Sequence, residues 1–449
     1  MASPFSTRSR ARRFIGALAF SVSHIVVCVC GFAVASTLPP APAAGLADSA
    51  ALRATVYGTP LQDIAPLPPS VPISEINIAM PGAKPVPKVF WYARSLRVWF
   101  TAQERPAPLA IIISGTGSDG NTTKLSILRG ALYGAGYHVL TMPSPTFTGF
   151  IVSTSSTGVA GDLMQDSRDL YAAIQQIIKH LPKHVQITDI DILGYSLGGA
   201  NAAVVKSIDA SEGKLHIRRA VMISPPVSLF TSIGRLDTLF TASIGGEAGI
   251  ERLYQQLYAQ LANLYRNSEA LEIDENFLLG AAATALKGDR EFSAAIALTF
   301  RLALVDMFFA GDVFAGTGVV VDPKHLPKVG DSLEEIARVL RTKPFSEYFE
   351  KVFAPYYLKH RPGSTSQSLI AENRLNLIES AMKNDPDYYA QTNRDDIILD
   401  KEELAWLRAT MGSRIAVYDH GGHLGNLGDR QQIADMLQML AGQWTGAAK

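Results

Sequence analysis

The spacing of hydrophobic positions along the chain changes character twice. From Leu96 to Phe100 apolar and polar residues alternate, which predicts a half-exposed antiparallel strand. The run Ala54-Thr55-Val56-Tyr57 before Gly58 also reads as extended, and Pro81, Pro85 and Pro87 separate these early pieces. From Pro108 the pattern becomes one of short apolar runs divided by longer segments of helical period. Leu109–Ile113 predicts a buried strand, Lys124–Ala135 a helix, and Val139–Met142 the next strand. Leu170, Ile174, Ile177, Ile178 and Leu181 then share one face at the 3.6-residue period. The strand Asp189–Gly194, a further helix and the strand Ala220–Ile223 follow. Strand alternating with helix means a parallel sheet with right-handed crossovers and helices on both faces.

Past Leu229 the alternation stops, to return only near Asn384. Ile250, Leu253, Leu257, Leu261 and Leu264 trace one helical face, with Tyr254, Tyr258 and Tyr265 beside it. Ala294–Ala310 is a second apolar helix whose Arg301 and Asp306 suit a buried helix better than a membrane span. Ser332-Leu333-Glu334-Glu335 reads as a capping box opening a third. The core then resumes. Asp400 with Glu403 caps a helix that Gly412 stops, Arg414–Tyr418 predicts a last strand, and Ile433, Met436, Leu437 and Leu440 mark a closing helix. The expected plan is a 36–90 extension with edge β-structure, core residues 91–228, a helical cap insertion over 229–384, and core residues 385–449.

Charge and composition add a leader and remove some partners. Arg8, Arg10, Arg12 and Arg13 precede the apolar stretch Phe14–Val34, and Ala33-Val34-Ala35 is a small-x-small site. Residues 1–35 therefore predict a cleaved secretory signal and an exported, periplasmic or secreted protein; the competing reading is a membrane anchor through residues 14–34. Arg12-Arg13-Phe14 resembles a twin-arginine signal. Cleavage takes four arginines from 41 basic side chains, leaving 37 against 41 acidic ones, a net charge of −4. With no basic stripe, nucleic acid is excluded as a partner on electrostatic grounds. Cys28 and Cys30, the two cysteines of the chain, leave with the leader, so the mature protein has neither disulfide nor thiolate chemistry.

The candidate chemistry centres on Gly194-Tyr195-Ser196-Leu197-Gly198, a G-x-S-x-G turn between strand and helix. Gly194 and Gly198 allow the sharp bend that lifts Ser196 above the strand ends, but a serine hydroxyl becomes a nucleophile only beside a base and an oxyanion site. Ser114-Gly115-Thr116-Gly117, at the end of the strand Leu109–Ile113, offers backbone N–H groups that can join that of Leu197. Of nine histidines, His420 and His423 follow the last predicted strand, where a base can reach the serine. No Cys, Asp or Glu set completes a metal site with them. Asp395, 28 residues before His423, is the preferred carboxylate and Asp396 the reserve.

The order Ser, Asp, His with this elbow resembles the α/β-hydrolase superfamily, its esterase and lipase-like members in particular. The resemblance covers about residues 108–228 and 385–445. It implies an α/β-hydrolase fold with a mostly parallel sheet, and a triad of Ser196, Asp395 and His423, since Asp395-Asp396-Ile397-Ile398 is similar to the family's acid loop and Gly422-His423 to its Gly-His loop. Thr116 becomes the second oxyanion donor beside Leu197, although Ser114 stands where the family's oxyanion strand commonly has His. The expected activity is hydrolysis of an acyl bond, a carboxylic ester first, on a small or lipidic acyl substrate, with no metal or organic cofactor. Acyltransferases and peptidases use the same triad, and a non-catalytic envelope binding or scaffold protein could keep the fold.

Overall fold

The computed structural model describes residues 48–81, 84–244, 249 and 288–446. The leader 1–35, Cys28, Cys30 and the helical face from Ile250 to Leu264 lie outside these residues. Eight strands form one sheet: β1 (Ser74–Ile78), β2 (Leu96–Thr101), β3 (Ala107–Ile113), β4 (His138–Met142), β5 (Ile187–Tyr195), β6 (Ile217–Ile223), β7 (Tyr388–Asn393) and β8 (Ile415–Tyr418). Their order is β1-β2-β4-β3-β5-β6-β7-β8. β2 runs antiparallel to β1 and to β4, and the strands from β4 onward are mutually parallel. This order, with the exchange of β3 and β4 and an antiparallel second strand, is the architecture of the α/β-hydrolase fold.

The central strands explain the continuous apolar runs. Leu109 to Ile113 of β3 are all without solvent exposure. Leu109, Ile111 and Ile113 enter one core layer, whereas Ala110 and Ile112 enter the other. A strand covered on both faces has no polar side to alternate with, and each such Leu or Ile contributes about 1.5–3 kcal/mol on burial. The first layer is closed by α4 (Leu163–His180) and α5 (Leu197–Glu212). The second is closed by α2 (Thr123–Gly134) and by the closing helix Arg430–Ala441. Between α2 and α4 lies the short helix α3 (Thr148–Ser153).

Two local expectations are corrected. Ala54–Tyr57 is not extended but the end of helix α1 (Ser49–Tyr57), opened by the Asp48 carboxylate, which accepts the Ala50 N–H at 3.1 Å. Burial of Ala51 and Leu52 holds it as a helix despite the β-preferring Thr55 and Val56. Ser332 does not form a capping box: its hydroxyl accepts only the Glu334 N–H at 3.3 Å, and the helix Glu334–Leu340 begins after Leu333 with no side-chain cap. Asp400 and Glu403, by contrast, do form a reciprocal capping box at Lys401–Met411.

Between β6 and β7 the described residues are helices and connecting turns, including α6 (Leu229–Ile244) and α7 (Asp289–Ala315). The chain divides into two compact units, the larger made of Ala47–Thr238 and Ala303–Lys449, the smaller including Leu239–Leu302. In the smaller unit the Arg290 Nε donates to the Ser243 carbonyl at 2.8 Å, and the Arg301 guanidinium lies 4.3 Å from the Phe240 ring centroid. In the larger unit, Leu304, Met307, Phe308 and Phe309 of α7 share an apolar cluster with Phe90, Val159, Tyr348 and Phe353. α7 is long and apolar enough to cross a membrane by length and composition. Its half in the larger unit is packed as core.

Candidate active site

Ser196 sits between the end of β5 and the start of α5 with φ 54° and ψ −131°. A non-glycine residue there is strained by on the order of 1–3 kcal/mol. Its surroundings impose the strain. A Cβ at Gly194 would overlap the Gly198 carbonyl oxygen, and one at Gly198 would overlap the Ile113 carbonyl at the end of β3. Both elbow glycines are therefore required by close backbone approach. The Ser196 N–H donates to the Ile223 carbonyl at 2.8 Å, tying the turn to the end of β6.

His423 follows β8 and is buried, and its Nε2 lies 3.0 Å from Ser196 Oγ. Its Nδ1 lies 2.9 Å and 3.2 Å from the two carboxylate oxygens of the buried Asp396. A carboxylate only accepts, so Nδ1 carries the proton and donates to Asp396. Nε2 is then left as the acceptor facing the serine hydroxyl. A hydroxyl, an imidazole and a carboxylate thus stand in one continuous hydrogen-bonded run, an arrangement able to serve as nucleophile, base and orienting acid.

Asp395, the carboxylate preferred from sequence, does not occupy this position. Its Oδ1 accepts the Gly422 N–H at 2.9 Å and its Oδ2 the Gly421 N–H at 3.3 Å. The reason is the turn that ends β7: the Asp396 N–H donates back to the Asn393 carbonyl at 3.2 Å, so the second acid rather than the first is presented to the imidazole. The first holds the backbone of the histidine loop from the same side. His420 is 84% exposed in its side chain, with Nδ1 4.0 Å from Asp395, and does not approach the serine.

Of the two expected oxyanion residues, Leu197 directly follows Ser196 and Thr116 lies in the loop packed against the elbow. Leu197 is the first residue of α5, so its N–H has no intrahelical acceptor and belongs to the positive end of the helix dipole. On the other side, a Cβ at Gly115 would lie 3.3 Å from Ser196 Cβ and 2.8 Å from the Tyr195 ring, which puts this loop directly against the elbow. Ser114 Oγ donates to the Met142 carbonyl at 2.8 Å, and the Gly117 N–H donates to Thr146 Oγ1 at 2.9 Å. Thr116 lies between these two fixed points. Burial pushes the Tyr195 phenol up, so it stays neutral while bonded to Thr122, Ser118 and the Gly115 backbone.

Sequence reasoning missed the residues that hold the loops. Thr146 orders the loop of residues 114–117. Asn393 Nδ2 donates to the Gly422 carbonyl and to Asn426 Oδ1, each at 2.8 Å, and Asn426 Nδ2 returns a bond to Asn393 Oδ1 at 2.7 Å. Thr55 Oγ1 accepts the His423 N–H at 2.8 Å. Each is a common polar residue whose partner lies far along the chain, and no local pattern marks it.

Among solved structures the chain is similar to an esterase from Pyrococcus furiosus, at 12% identity over 85% of this chain and 99% of that one, with a TM-score of 0.39. It is also similar to an esterase from Pyrobaculum calidifontis, at 12% identity over 83% of this chain and 87% of that one, with a TM-score of 0.41. No family model and no curated protein matches the chain.

Proposed function

We propose that this chain is a serine hydrolase acting on carboxylic esters. The observation that carries the reading is the run from Ser196 Oγ to His423 Nε2 at 3.0 Å and from His423 Nδ1 to Asp396 at 2.9 Å. Ser196 Oγ attacks the acyl carbonyl as His423 Nε2 takes its proton, and Asp396 stabilises the imidazolium. The carbonyl oxygen becomes an oxyanion beside the N–H groups of Leu197 and Thr116. Collapse of the tetrahedral species breaks the ester C–O bond, and His423 returns the proton to the departing alkoxide oxygen. Water, deprotonated by His423, then attacks the acyl-serine; the acid leaves and Ser196 recovers its proton.

A hydrophobic acyl group is the reading favoured by the apolar character of the insertion between β6 and β7. An exported location follows from the arginine-led apolar leader. The test is labelling with a fluorophosphonate, which reacts with activated serines. Wild type should label, and Ser196→Ala and His423→Ala should not. A folded wild type that stays unlabelled favours a non-catalytic binding protein; labelling that survives Ser196→Ala means a different nucleophile. Esters of graded chain length, supplied with and without an added alcohol acceptor, separate hydrolysis from acyl transfer and define the acyl preference.

A further inference from the structure

The helix α1 and the loop bearing His423 are hydrogen-bonded across 368 positions of sequence. The Thr55 hydroxyl donates to the Ala51 carbonyl one turn earlier, at 2.7 Å, so its proton is committed to the helix. Its oxygen lone pair faces the loop and accepts the His423 N–H at 2.8 Å. The two segments meet backbone to backbone. A Cβ at Gly422, where φ is +54°, would overlap the Ala51 carbonyl and Thr55 Oγ1, and one at Gly425 would overlap the Ala54 carbonyl. Thr59 extends the seam: its Oγ1 donates to the Gly425 carbonyl and accepts the Gly428 N–H, both at 3.0 Å.

From the opposite side, Asp395 accepts the N–H of Gly422 and Asn393 donates to the Gly422 carbonyl. The Gly422–His423 peptide is thus held between two walls, its carbonyl by Asn393 of β7 and its N–H by Thr55 of α1. We propose that α1 is a working part of the active site and that Thr55 is a positioning residue for His423. By fixing the His423 backbone it fixes how far Nε2 stands from Ser196 Oγ. The proposal rests on the hydrolase reading above and adds to it a dependence on a helix distant in sequence from every residue of the triad.

The experiment compares the full chain with Thr55→Val, which removes the acceptor, and Thr55→Ser, which keeps it. Measured are the fluorophosphonate labelling rate, kcat and KM on a p-nitrophenyl ester, the thermal midpoint, and amide hydrogen exchange at His423. Displacing a catalytic group by a fraction of an ångström to one ångström costs up to about 100-fold. Thr55→Val is therefore expected to lower kcat and the labelling rate by about 10- to 100-fold with KM within about twofold, and Thr55→Ser to restore most of both. Wild type that does not label overturns the hydrolase reading and this proposal with it. Wild type that labels, with a folded Thr55→Val labelling equally fast, overturns the proposal alone. If Thr55→Val does not fold, exchange in wild type decides: a protected His423 amide that Thr55→Ser keeps protected supports the contact, and a freely exchanging one overturns it.

Discussion

Asp395 and Asp396 are neighbours in sequence and serve one loop in two different ways. Asp396 meets the His423 imidazole at 2.9 Å, and Asp395 meets the Gly422 N–H at 2.9 Å. The roles separate by substitution. Asp396→Asn places an amide donor against Nδ1, forces the wrong tautomer and is expected to lower kcat by about 10⁴-fold, the scale seen for the same change in a protease triad. Asp395→Asn keeps an acceptor for one of the two loop amides and should cost about 10-fold. Steady-state kinetics on both variants checks this; a larger loss for Asp395→Asn would reverse the assignment.

Thr146 governs the other side of the serine. Thr146→Val deprives the Gly117 N–H of its acceptor at 2.9 Å and loosens the loop that carries Thr116. Losing one oxyanion donor costs about 10²–10³-fold in kcat, and a donor that is only misaligned should cost less. The expected loss is about 10- to 100-fold with KM little changed. Unchanged kcat would mean that the Thr116 N–H does not face the reacting oxygen.

Gly198→Ala tests the elbow itself. The new methyl would overlap the Ile113 carbonyl and lie 2.6 Å from the Ser114 carbonyl, both backbone atoms of the β3 end. Neither can move without shifting the sheet. Urea unfolding should show a loss of about 4 kcal/mol or more, together with loss of labelling; a variant as stable as wild type would contradict the packing described for the elbow.

Burial pushes the Asp166 carboxyl well above the usual carboxylate range, with Asp162 and Asp169 adding to the effect against the Gly161 N–H that lowers it. Its Oδ1 has no hydrogen-bond partner among the described residues. The unfolded chain loses this proton near pH 3.9, while the folded protein keeps it to higher pH. Between those points the native state binds more protons than the unfolded state, so this carboxyl makes stability fall as pH rises. Asp166→Asn cannot ionise and still offers an acceptor to Gly161. Its thermal midpoint relative to wild type should rise from pH 5 to pH 8, and a difference that shrinks over that range would contradict the burial argument.

The features legible in sequence were those whose cause is local. The apolar run of β3, the elbow glycines and the placement of His423 after β8 each need only neighbouring residues to be recognised. β7 escaped notice because its second half is Gln391, Thr392 and Asn393, all buried. Gln391 Nε2 donates to Tyr418 Oη at 3.2 Å and to the Gln432 carbonyl at 3.0 Å, and Asn393 Nδ2 to the Gly422 carbonyl, so residues that look like a loop lie in the core, although Gln391 Oε1 and Thr392 Oγ1 have no partner among the described residues. Which of two adjacent carboxylates faces the imidazole depends on the turn after Asn393, which composition does not encode. Thr55 and Thr146 act through partners supplied by the tertiary fold, and Thr55 stands in a run whose local preference is extended.

The contact between α1 and the histidine loop joins segments made at very different times. α1 is among the first described residues to be synthesised, and the loop it braces is among the last. A nascent chain could lay down all eight strands and the strained serine turn and still lack His423 beside Ser196. On the proposed reading, Ser196 stays without its base until the segment bearing His423 has been made and has packed against α1.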